Sequence, residues 1–162
     1  MDNTILHGRR LVVFTLAVAL ALAVVVVLPK ASSAAPPEPV DDSFTVGDVC
    51  DFPVLLEAAG KAKGIELSGG RFLDISPGLR VSLTNTEEPT HQLTYVITGA
   101  FHGRDLADGR LLVVATGRNL LFDPSFGMFL TVGRFTFQVN EDGSITRPEG
   151  KGRMIDICSR LA

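Results

Sequence analysis

From Phe44 onward, glycine and aspartate interrupt the chain every eight to twelve residues. The segments between them are short and rich in Val, Leu, Ile, Phe and Thr. No stretch there sustains an apolar stripe at helical spacing, which leaves short strands joined by tight turns. The spacing predicts strands over Val49–Leu56, Ile65–Leu67, Arg71–Ile75, Arg80–Asn85 and Gln92–Thr98. It predicts five more over Arg110–Ala115, Asn119–Phe122, Met128–Val132, Arg134–Asn140 and Ser144–Arg147. In Arg134–Asn140, the most regular of them, Phe135, Phe137 and Val139 alternate with polar residues, giving one dry and one wet face. Asp142-Gly143 then signals a tight hairpin, with Ile145 resuming the apolar register. Helical candidates are weak and confined to Leu55–Lys63 and a final turn at Asp156–Leu161. The expected fold is all-β, an antiparallel sandwich or flattened barrel of about eight to ten short strands spanning 44–162.

The N-terminus carries a different message. Arg9-Arg10 precede an apolar run, Leu11–Leu28, broken only by Thr15. Pro29 and Lys30 end the run, and Ala31-Ser32-Ser33-Ala34-Ala35 supplies small residues after it. A basic start, an apolar middle and a small-residue zone define a signal peptide, with cleavage expected after Ala34. The alternative is a retained anchor. As a helix, the 18 residues 11–28 would span roughly 27 Å, just short of a bilayer core of about 30 Å. Either outcome places the rest of the chain outside the cytoplasm, secreted or anchored to the outer face of the membrane. Residues 35–43, rich in Ala, Pro, Glu and Asp, read as a linker between this segment and a single β domain, 44–162.

The two cysteines, Cys50 and Cys158, sit near the two ends of that domain. In an oxidising compartment such a pair is read as a disulfide. Charge narrows the partners. Of 15 Lys+Arg and 18 Asp+Glu, residues 35–162 keep 12 and 17, a net charge of −5. A domain that acidic lacks the footprint for phosphate backbones, so nucleic acid is not an expected partner. With no Trp and a single Tyr, Tyr95, the chain also lacks the stacking residues typical of sugar binders.

No pattern of residues points to catalysis, a cofactor or a metal. His91 and His102 show no metal-ligand spacing. Ser125, in Asp123-Pro124-Ser125-Phe126-Gly127, lacks the first glycine of a nucleophile elbow. Carboxylates gather at Asp41, Asp42, Asp48 and Asp51, at Glu87-Glu88 and at Glu141-Asp142, without the regular alternation of a calcium loop. Two features could make contacts. The most apolar run, Asn119–Leu130, reads either as two core strands with their turn or as a loop presenting Phe126 and Met128 to a partner or apolar ligand. The dipeptide Gly-Arg recurs at 70–71, 103–104, 109–110, 117–118, 133–134 and 152–153. It reads either as turns followed by strand-guarding charges or as arginines, Arg118 and Arg134 among them, gathered to grip an anion.

Four landmarks stand in a familiar order: Cys50-Asp51-Phe52-Pro53-Val54, Gly117-Arg118-Asn119-Leu120, Gly127 to Arg134, and Asp156-Ile157-Cys158. In these the chain resembles small secreted proteins of unassigned function from actinomycete-type, GC-rich Gram-positive bacteria. The resemblance implies an extracytoplasmic β domain and carries over no active site. The function expected is that of a non-enzymatic module, secreted or envelope-exposed, binding a protein partner or a cell-envelope component. The alternative is an extracytoplasmic carrier of a small hydrophobic ligand. The membrane enters only through residues 11–28, if they are retained.

Overall fold

The computed structural model describes residues 35–162, and the expected signal or anchor helix lies outside them. The described chain is all-β and antiparallel. Its strands are β1 (Glu38–Val46), β2 (Val54–Leu67), β3 (Arg71–Ile75), β4 (Leu79–Asn85) and β5 (Gln92–Ile97). They continue with β6 (Ala100–Asp105), β7 (Leu111–Asp123), β8 (Gly127–Val139) and β9 (Glu149–Asp156), followed by one helical turn, α1 (Cys158–Leu161). The nine strands form one sheet in the order β5-β4-β2-β3-β6-β7-β8-β9, with β1 paired to β2.

The register reveals longer units. β3 pairs with the end of β2 (Leu67↔Arg71) and β4 with its beginning (Val54↔Asn85), so β3 and β4 act as one strand broken at 76–78. β5 and β6 pair with β4 and β3 in turn, and form a second strand broken at 98–99. Glycines mark the same level on each strand in turn. A Cβ on Gly60 would stand 2.9 Å from the Leu79 Cα, and one on Gly117 would stand 3.1 Å from the Gly99 Cα. Gly117 then pairs with Gly133, and Gly133 with Gly152. A line of glycines therefore crosses the sheet from β2 to β9. At Gly133 (φ 141°) a Cβ would overlap the Lys151 carbonyl oxygen and come within 2.8 Å of the Gly152 Cα, so only glycine permits this approach.

Along that line β7 and β8 pass from burial on both sides to burial on one. Above it, Met128 and Leu130 of β8 pack with Val54, Leu56, Val81 and Leu83 of β2 and β4, joined by Ile157 just before α1 and Leu161 of α1. The opposite register is buried along its whole length, above the line at Asn119, Leu121 and Thr131 and below it as well. Val113, Ala115, Phe135 and Phe137 face in, with Phe72 and Phe101 beside the second cluster. Phe101 and Phe137 meet edge to face, with centroids 6.3 Å apart. The upper cluster draws from β2–β4 on one side and β8 on the other, which makes the arrangement sandwich-like. The disulfide forms between Cys50 and Cys158, with Cα atoms 5.4 Å apart, and pins α1 beside the start of β2.

Several expectations change. Residues 38–43, expected within a linker, belong to β1, an edge strand whose backbone pairs with β2 while most of its side chains stay in water. Proline is tolerated there because an edge strand leaves half its amides unpaired. Leu55–Lys63, a weak helical candidate, is the middle of β2, where pairing on both flanks overrides the helix propensity of Glu, Ala and Lys. Residues 49–53 precede β2 outside any strand. Arg110–Ala115 and Asn119–Phe122 fuse into β7, and Met128–Val132 and Arg134–Asn140 fuse into β8, each through a glycine. The segment expected as a strand over Ser144–Arg147 makes only an isolated bridge, Val139↔Ile145, and β9 takes the long pairing with β8.

Candidate functional site

Directly paired residues of neighbouring strands share a face, so the register specifies what lies opposite the lower cluster. One row reads Lys63, Ile75, Ala100, Thr116, Arg134 and Lys151. The next reads Ile65, Leu73, His102, Val114, Thr136 and Glu149. The third reads Leu67, Arg71, Arg104, Leu112 and Gln138. None of these side chains is fully buried, and Leu67 is 44% exposed. Six strands about 4.8 Å apart and three rows about 6.7 Å apart make a face of roughly 24 by 13 Å.

Its charge departs from that of the rest of the domain. The three rows hold five of the twelve Lys and Arg of residues 35–162 and one of the seventeen carboxylates, Glu149. A fourth row, Arg118–Val132–Arg153, stands at the glycine line and adds two more cations. Among the described residues none of these seven is within ion-pair distance of a carboxylate. Arg71 donates from Nε to the Ser68 carbonyl, and Arg118 from Nη1 to the Val96 carbonyl. A cleft of about 290 Å³ opens on the face, lined by Leu67, Arg71, His102, Arg104, Leu112 and Val114. Apolar side chains thus lie among unpaired cations.

Arg110 is the exception among the six Gly-Arg arginines of the described residues. Its Nη2 pairs with Asp108 Oδ2 at 2.6 Å, and its guanidinium holds the Asp108 carboxyl below the usual carboxylate range. The other five belong to three of these four rows, spread over one face rather than gathered at one end of the molecule.

The other residues singled out in the sequence fall elsewhere. Met128 is wholly buried in the upper cluster and offers no surface to a partner. Phe126 sits in the β7–β8 turn, half-buried, with its ring centroid 6.2 Å from that of Phe129. Arg118 and Arg134 lie on adjacent strands on either side of the glycine line. Arg71, Arg104 and Arg153 are legible in the sequence only as members of the Gly-Arg repeat, and Lys63 and Lys151 are not legible as site residues. The repeat needs the register before it acquires a direction, and the two lysines carry no such signal.

The acidic turns hold themselves together. Beside Val46, Val49 and Phe122, a groove of about 490 Å³ contains Asp123 and Asp142. Asp123 Oδ1 accepts from the Ser125 amide (2.9 Å) and hydroxyl (2.7 Å), and Oδ2 from the Ile145 amide (2.7 Å). Burial pushes the Asp123 carboxyl up, but the hydrogen bonds from Ile145 and Ser125 outweigh it and leave it below its ordinary value. Asp142 is lowered by the Ser144 hydroxyl and amide. No group of three potential metal ligands converges among the described residues. His91 Nδ1 lies 3.2 Å from the Leu161 carbonyl and 3.6 Å from Glu88, and His102 stands exposed between Leu73 and Val114. No serine–histidine–carboxylate relay forms among the described residues.

No family model matches this chain, and no curated protein or solved structure matches it at a significant level.

Proposed function

We propose that the protein is a non-enzymatic, extracytoplasmic binding module that engages an anionic component of the cell envelope through the cationic outer face of β2–β3–β6–β7–β8–β9. One observation carries this reading. A domain of net charge −5 gathers five unpaired cations and a single carboxylate on three rows of one face, with two more arginines at its border. Charge segregated in this way steers an oppositely charged partner toward that face and turns the acidic remainder of the surface away from it. The disulfide supports an oxidising compartment, and Arg9-Arg10 with the apolar run Leu11–Leu28 supports export. In architecture we read the fold as a β-sandwich, and in origin as one of the small secreted proteins that its landmark order resembles.

The test is co-sedimentation of the exported protein with an envelope preparation from the producing cells. Wild type is retained near 0.1 M salt and released near 1 M, where the Debye length falls to about 3 Å. Arg104→Glu/Arg134→Glu abolishes retention, whereas Arg160→Glu, a charge reversal at an exposed residue of α1, leaves it unchanged. Equal retention of all three proteins would refute the proposed face. Intact mass of the exported protein, with and without reductant, tests cleavage after Ala34 and the disulfide in one measurement. The carrier alternative draws less support, since Phe101 and Phe137 pack against each other and the clefts described open to solvent.

A further inference from the structure

Resting on that reading, we infer that the anionic component is the phosphate headgroup layer of a lipid bilayer, on which the outer face seats with Leu67 dipping below the charges. Three observations favour a bilayer over a soluble polyanion. First, the cations are spread in two dimensions. Arg71 and Arg104 pair on β3 and β6, while Arg134 and Lys151 pair two rows away on β8 and β9. A linear polyanion would follow one stripe, whereas a planar array of charges matches a planar layer of headgroups.

Second, the face mixes its cations with aliphatic side chains. Leu67, at the tip of the β2–β3 hairpin, is 44% exposed beside Arg71, its cross-strand partner. A hydrophilic polymer offers such a residue nothing, but the boundary between headgroups and acyl chains rewards its burial.

Third, the chain enters the domain at this face. The Lys63 ammonium, on the same face, donates to the carbonyl of Ala35, where the described residues begin. Were residues 11–28 retained in a membrane, the seven links from Leu28 to Ala35 would hold that edge within about 25 Å of the bilayer. Cleavage after Ala34 would instead leave a terminal ammonium beside Lys63, adding to the same charge.

Residues 35–162, which contain both apolar clusters and the disulfide, serve for the test. Flotation with phosphatidylcholine vesicles is compared with flotation after a fraction of the lipid is replaced by phosphatidylglycerol. Soluble linear polyphosphate is titrated separately. Binding is expected only with the anionic vesicles. It should weaken about fivefold for each cation removed, so roughly twenty-five-fold for Arg104→Gln/Arg134→Gln. Leu67→Ser should weaken vesicle binding and leave any polyphosphate binding unchanged. Circular dichroism confirms that each variant is folded.

Polyphosphate binding that depends on Arg104 and Arg134, with no vesicle binding, would overturn the lipid inference and leave the binding-face reading standing. Equal binding to neutral and anionic vesicles, or a silent Leu67→Ser, would also overturn it. Failure with both vesicles and polyphosphate, together with envelope retention indifferent to the charge variants, would refute the inference and the reading beneath it.

Discussion

Replacing both cysteines, Cys50→Ser/Cys158→Ser, should remove close to half the stability of an ordinary domain. The two residues are 108 apart in sequence. Closing a loop of that size withdraws about 16 cal/mol/K from the unfolded chain, or about 5 kcal/mol at 25 °C in the chain-entropy model. Domains of this size are stable by about 5–15 kcal/mol in total. Both cysteines are partly buried against the upper cluster, and the Cys158 sulfur lies 3.4 Å from the Val49 carbonyl. Serine leaves little void there, so the loss should arise in the unfolded state. Urea denaturation followed by circular dichroism measures it. The midpoint should fall, and the slope against urea should rise because the open chain exposes more surface when unfolded. A loss below about 2 kcal/mol with an unchanged slope would refute the entropic account.

Other perturbations separate the remaining devices. Asn85, 3% exposed, accepts from the amides of Glu87 and Glu88 and donates to the Leu161 carbonyl; Asn85→Ala should cost about 2–4 kcal/mol, and less in the double-serine background if α1 is already loosened. Asp123→Ala should cost about 2–3 kcal/mol at pH 7 in denaturant midpoints. Because the folded Asp123 carboxyl lies below its unfolded value, near 3.9, its contribution is complete above that pH and is lost as the pH falls through the lower folded value. The variant's stability should therefore change less than that of wild type in the acid range, and parallel curves would contradict the assignment. Gly133→Ala should cost roughly 3–4 kcal/mol in thermal unfolding, since the added methyl meets the Lys151 carbonyl and Gly152 backbone rather than a side chain that can move.

The parts of the fold legible in sequence are those where composition and period agree. Phe135 and Phe137 alternate with Arg134, Thr136 and Gln138, and the structure buries the first pair and leaves the others at least partly exposed. The cysteine pairing was legible because two thiols at opposite ends of a domain have few alternatives. β9 was not legible, because Glu149-Gly150-Lys151-Gly152-Arg153 reads as a turn. Its glycines are demanded by neighbours the sequence does not place beside it: a Cβ at Gly150 would strike the Arg134 carbonyl, and one at Gly152 that of Val132. Whether Met128 belongs to a core strand or to an exposed loop was not legible for a similar reason. On a strand with one buried side, burying Phe135 and Phe137 puts Met128 in solvent; above the glycine line both sides of β8 are covered, and Met128 is buried.

The loss of cover from one side below the line also explains how an acidic chain comes to present a cationic face. A glycine on the line is flanked on its own strand by two residues pointing to the opposite side of the sheet. Because β7, β8 and β9 alternate in direction, the arginine after each glycine falls above the line on β7 and β9 (Arg118, Arg153) and below it on β8 (Arg134). One dipeptide, repeated on antiparallel strands, therefore sets cations on both margins of the bend. Above the bend the next row, Leu120–Leu130–Ile155, enters the upper cluster. Below it nothing among the described residues covers the rows that hold Lys63, Arg71, Arg104 and Lys151. The glycines are needed for the fold whatever the arginines do. The arginines are not, since none of these cations pairs with a carboxylate among the described residues and exposed charge adds little to stability. Charge reversal at Arg104 and Arg134 should consequently change binding while leaving the unfolding midpoint in place, the opposite of the result at Gly133.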